Sequence, residues 1–199
     1  VSNALYFDGI TLSEIEVGAA KVEKMAYYIG ADDVKTKASS MGTKLGNIEV
    51  LTEDGIKFAR FTSLEGGANE GYFYCFSTDN PQPMGRYAVI KYRTKSPTNF
   101  DIFAGTESTT VNNDCYLGIS AEKGYVNSGE WVILVIDMEA SIKNYNFSGN
   151  GFGTCAPYFF RLDVFGNTTK TSEIYTVDIA YIGICDAFDD ISLIEKTLD

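Results

Sequence analysis

A protein holds a sugar with two kinds of side chain. A flat ring covers the apolar face of a pyranose, and planar amides or carboxylates satisfy its hydroxyls, because a hydroxyl left unpaired on either side is costly. Such groups gather twice in this chain outside the obvious core runs. The loop 143–152, KNYNFSGNGF, sets Tyr145 and Phe147 beside Asn146. The stretch 69–80 adds Tyr72 and Tyr74, with Asp79 and Asn80 close by. Tyr125, just ahead of Trp131, is a further candidate. Each has a plainer structural alternative. A loop aromatic can anchor its own loop on a sheet edge, half of an aromatic strand must face a core, and a lone Trp opening an apolar strand is ordinary core material.

Charged residues interrupt otherwise apolar strand runs at Lys91, Arg93, Asp101, Arg161, Asp163 and Asp178. The expectation is that these three cations and three anions share one sheet face. A concave face of that kind would suit a saccharide; a flat one would be a salt-bridged or solvated exterior, covered by residues 1–28 and adding little stability. Hard oxygen ligands are plentiful in Asp32, Asp33, Asp54, Asp186, Asp189 and Asp190, but none lies in a D-x-[DN]-x-[DN]-G loop, which excludes an EF-hand. A structural calcium built from separate loops stays open, and its ligands are unknown.

Catalytic chemistry has little to work with. The chain has no His, so a Ser–His or Cys–His nucleophile system is absent. The nearest approach to the paired acids of a glycosidase is Asp137 with Glu139, at the end of an apolar strand and without a following acid. The expectation is a non-catalytic protein. The four cysteines, Cys75, Cys115, Cys155 and Cys185, lie far apart with no C-x-x-C, which argues against zinc; buried thiols acting as small core residues are the favoured reading, with one or two disulfides the alternative.

The elements that must position these groups read as strands. Thirteen Tyr, thirteen Phe and nineteen Gly beside four Pro suit many short strands joined by tight turns. Between 48 and 62 two apolar runs flank Asp54-Gly55, the strongest hairpin signal in the chain. Further runs follow at 72–77, 86–94, 100–104, 115–120 and 131–138. The segment 158–191, YFFRLDVFGNTTKTSEIYTVDIAYIGICDAFDDI, reads as a second hairpin around which the rest is organised. Strict alternation in its second run puts Asp178, Ala180, Ile182 and Ile184 on one face, with Val177, Ile179, Tyr181 and Gly183 on the other. Residues 32–47 read as a polar linker, and no segment has a convincing helical period.

This predicts an all-β fold, an antiparallel two-sheet β-sandwich of jelly-roll type, over residues 34–199. Residues 1–33 form an N-terminal extension or strand packed on it. Two short echoes, 7–12 against 188–193 and 26–30 (AYYIG) against 180–183 (AYIG), would make that piece the tail of a preceding module; otherwise it is a strand pairing beside the C-terminal one. The formal net charge of −11 without a basic cluster argues against nucleic acid. No run approaches the roughly 20 apolar residues of a membrane-spanning helix. Residue 1 opens without a basic, apolar leader, so the numbering is expected to start inside a longer precursor or at an excised module.

The phrases RYAVIKYRT, NFDIFAGT, GEWVILVIDM, YFFRLDVFG and VDIAYIGICDAFDDI, spread over about 48–193, resemble a family of non-catalytic modules. These are the galactose-binding-like jelly rolls of Firmicutes secreted and cell-surface proteins, which include many carbohydrate-binding modules. The resemblance implies export to the cell surface or beyond, a polysaccharide or glycan as ligand, and other domains of the same polypeptide as neighbours. It assigns Trp131, Arg161 and Asp163 chiefly to holding the sheets.

Overall fold

The computed structural model describes residues 27–40, 45–64, 71–76, 87–105, 125–137, 159–166 and 173–185. Among these residues nine strands and one helix follow in order: β1 (Tyr27–Gly30), α1 (Ala31–Ser39), β2 (Asn47–Glu53), β3 (Ile56–Thr62), β4 (Tyr72–Phe76), β5 (Tyr87–Thr94), β6 (Asn99–Gly105), β7 (Val132–Asp137), β8 (Phe159–Gly166) and β9 (Thr176–Cys185). They form two sheets in which every pairing is antiparallel, so the expected all-β sandwich is what the chain builds.

The larger sheet runs β2-β3-β9-β5-β7, and the smaller β4-β8-β6. β9 is long enough to take two neighbours on one edge: β3 pairs with its first half, from Thr176 to Ile179, and β1 with its second, from Tyr181 to Ile184. The second pair of echoed segments therefore meets, with Ile29 opposite Ile182, while 7–12 and 188–193 lie outside the described residues. The boundary drawn at 33 falls inside α1, and β1 is an integral strand of the larger sheet.

The core lies between the sheets. Phe61 on β3 stacks on Phe73 of β4 at 6.0 Å, and Tyr92 on β5 meets Phe100 of β6 edge-on at 5.0 Å. Ile90, Ile102, Leu162, Val177 and Ile182 fill the space around them, all fully buried. Alternation explains each membership, since one side chain in two points inward along a strand. The β2–β3 hairpin is the one its sequence announces: Asp54 (φ 51) and Gly55 (φ 81) both take the left-handed conformation that a two-residue turn requires.

Three expectations are corrected. Residues 158–191 are not a hairpin, because β8 belongs to the smaller sheet and β9 to the larger. Alternation in β9 also breaks. Lys91 faces Tyr181 while Tyr92 faces Ile179, so Ala180 is the extra residue of a bulge. Ile182 and Ile184 are thereby turned into the core with Val177 and Ile179, and Ala180 and Tyr181 are turned outward together. Third, the supposed linker holds α1, which buries Ala31, Val34 and Ala38 against β2, β3, β4 and β9. Its apolar side chains are few and small, which hides the helical period. Among the described residues no helix is long and apolar enough to cross a membrane.

Candidate functional site

The outward face of the smaller sheet gathers the most chemistry. Two rows of side chains cross its three strands. Tyr72 of β4, Asp163 of β8 and Asp101 of β6 are aligned partners in one row; Tyr74, Arg161 and Phe103 form the next. The alternate residues Phe73, Leu162 and Ile102 point into the core, which forces these six outward.

Arg161 and Asp163, two apart on the same strand, share that face. Arg161 donates through Nε to Oδ1 of Asp163 at 2.6 Å and through Nη2 to Oδ2 at 2.5 Å, a two-pronged pair. The guanidinium carbon lies 3.6 Å from the centre of the Tyr72 ring and 5.0 Å from that of Phe103. Tyr74 stands edge-on to Tyr72 at 5.7 Å and 84°. All three rings are half-buried. Burial is the largest influence on the Asp163 carboxyl and raises it above the ordinary carboxylate range. The Arg161 guanidinium pulls it down, and Asp101 on the neighbouring strand adds to the rise. Gly166 also belongs to this arrangement, since a Cβ there would come 2.5 Å from Oδ2 of Asp101.

The outward face of the larger sheet uses similar groups differently. Asp178 of β9 lies between Arg60 of β3 and Arg93 of β5, its aligned partners. Arg60 donates to it at 2.7 and 2.9 Å and Arg93 at 2.8 Å, with the Asp178 side chain only 5% exposed. Both arginines also reach Glu53 on β2. Arg93 sits 4.8 Å from the Trp131 ring and 4.9 Å from Phe58, and those two rings meet edge-on at 5.4 Å. Around them Val89, Ala180 and Tyr181 are buried, with Leu51, Ile56, Ile133 and Val135 partly so. Lys91 shares this face by its place on β5.

The six charges expected on one face are thus divided. Lys91, Arg93 and Asp178 are on the larger sheet, and Asp101, Arg161 and Asp163 on the smaller. Tyr72 and Tyr74 join the second group. Tyr125 is corrected: it is 6% exposed and lies in the core, stacked on Tyr92 at 5.0 Å and 9°, and cannot be a surface platform. Among the described residues its buried hydroxyl has no hydrogen-bond partner, whereas the Tyr92 hydroxyl donates to the Val126 carbonyl and accepts from its N–H. Burial pushes the Tyr92 hydroxyl up to about 12, against the opposing pull of the Val126 backbone. Tyr145, Asn146 and Phe147 lie outside the described residues.

Of the candidate calcium ligands, Asp32 pairs with Lys57, Asp33 lies in the first turn of α1 and Asp54 in the hairpin turn, while the other three are outside the described residues. Among the described residues no three Asp, Glu, Cys or His side chains come together as a metal site. Cys75 is buried in the core, and burial pushes the ionisation of its thiol up, as suits an unreactive small apolar residue.

Sequence reasoning did not single out Phe58, Arg60, Glu53 or Phe103 as partners. Alternation placed Phe103 on the same side of β6 as Asp101, so that signal was present; the neighbours of Arg60 depend on which strand lies beside β3. No family model matches the chain, and no curated protein matches it.

Proposed function

We propose that this chain is a non-catalytic carbohydrate-binding module of jelly-roll type, part of a larger secreted or cell-surface protein, and that it grips glycan chains with the outward face of its smaller sheet. One observation carries the reading: three half-buried aromatic rings surround an Arg161–Asp163 pair that lies within a single strand. The ion pair itself joins no two strands, unlike the one around Asp178 on the larger sheet. Rings offer apolar contact to pyranose faces, and the carboxylates of Asp101 and Asp163 offer acceptors to hydroxyls. Among the described residues the Tyr72 hydroxyl makes no hydrogen bond within the protein. Asp101 and Asp163 are adjacent carboxylates, but Asp163 accepts a guanidinium N–H at each oxygen, which disfavours the protonated form a general acid needs while leaving its remaining lone pairs as acceptors. Retention on immobilised polysaccharides, lost in Tyr72→Ala and Tyr74→Ala, tests the reading; a folded protein retained by no glycan overturns it.

A structural or adhesive module without sugar binding is the second reading. It is favoured by the apolar side chains on the other face, where Trp131, Ile133, Val135, Leu51 and Ile56 are only partly buried. A neighbouring domain of the same polypeptide would cover them. Fluorescence of Trp131, the single tryptophan, would then shift to the blue in the longer polypeptide, with no retention on any glycan.

A further inference from the structure

Resting on that reading, we propose that the Tyr72–Arg161 face takes uncharged glycans and discriminates against chains of uronic acids. The six outward side chains of its two rows hold one cation and two anions: Arg161 against Asp163 and Asp101. That cation is already committed. Its Nε and Nη2 are spent on Asp163 at 2.6 and 2.5 Å, and the Tyr72 ring 3.6 Å away fixes its plane. Carboxylates are recognised by an arginine whose fork opens toward the ligand; here the fork is closed on an internal acid.

A uronate would also meet Asp101. Its carboxylate lies close over Gly166, next to Asp163, on the face where a sugar would stack. Like charges held that near repel in proportion to how much water is excluded between them. Among the described residues the other strand cations, Lys57, Arg60, Lys91 and Arg93, belong to the opposite sheet, and packed sheets are about 10 Å apart, roughly one Debye length at moderate salt. The net charge of −11 opposes the approach of a polyanion from farther out. An uncharged pyranose meets none of this, and its hydroxyls donate to the same carboxylates that would repel a uronate.

The test uses the whole chain in affinity electrophoresis. Uncharged xylan, mannan, galactan and β-glucan are run beside several uronate polysaccharides, each also in its carboxyl-reduced form. The proposal expects retention by at least one uncharged chain, and reduced uronates retained more strongly than their native forms, with the gap closing as salt rises. Asp101→Asn, nearly isosteric, narrows the gap by about threefold at low ionic strength, as expected for removing one charge a few ångströms from another across water. Retention by native uronates equal to or above that of their reduced forms overturns this proposal and leaves sugar binding standing. Retention by none of the chains overturns sugar binding and this proposal with it.

Discussion

The two outward faces of the sandwich are built from the same materials and arrange them in opposite ways. Each has a largely buried aspartate paired with an arginine whose guanidinium lies within 5.0 Å of two aromatic ring centres. On the larger sheet Asp178 takes arginines from two different strands, and Glu53 on a third strand joins them. Four adjacent strands, β2, β3, β9 and β5, are thereby cross-linked beneath Trp131 and Phe58. On the smaller sheet the ion pair Arg161–Asp163 is contained in β8, and among the described residues Arg161 meets the neighbouring strands through the rings of Tyr72 and Phe103 and not through a second charge. Ion pairs that join strands specify register; an ion pair within one strand specifies only its own two side chains. The first face is a clasp, and the second presents chemistry to whatever lies outside it.

That contrast can be broken. Asp178→Ala strands two arginines and should lower stability by about 3 kcal/mol, as for removal of one partner of a buried ion pair. Asp163→Ala strands one, and should cost about 1.5 kcal/mol, as for hydrogen bonds to a charged group. Urea unfolding of both variants measures the difference, and equal losses would remove the distinction between clasp and display. For ligand retention the order reverses. Tyr72→Ala and Tyr74→Ala should each weaken glycan retention about 30-fold, as for a truncated aromatic anchor, while Trp131→Ala leaves retention unchanged.

Smaller effects sharpen the picture. Tyr125→Phe removes a buried hydroxyl that has no partner among the described residues, so it should raise stability by about 1 kcal/mol without altering retention. Loss of retention would return Tyr125 to the site. The weakest effect is a slope with pH. Asp163 titrates higher in the folded protein than the ordinary value near about 3.9. Between those two values the folded state holds the extra proton, so stability falls as pH rises through the window and levels off above it. Asp163→Asn should flatten that stretch of a denaturation-against-pH curve; an unchanged slope assigns it to other carboxyls.

Much of the architecture was legible in the chain. The Asp54-Gly55 hairpin follows from turn chemistry, and the inward sets of β4, β6 and β8 follow from alternation. The expected single charged face failed for a definite reason. Alternation says which side of its own strand Arg93 or Arg161 occupies, but not which sheet that strand joins. The bulge at Ala180 escaped for a related reason, since an extra residue in β9 is visible only against its partner β5. α1 escaped because Ala31, Val34 and Ala38 are too small and sparse to mark a stripe.

By itself the sequence determined the all-β character, the turn at 54–55 and the pairing of side chains along each strand, because these depend on neighbours one or two residues apart. Tertiary structure alone decided that β8 and β9 part company, that Asp178 is shared by Arg60 and Arg93, and that Tyr72 lies against Arg161. Those contacts join residues far apart in the chain, and only the order of strands in the sheets brings them together.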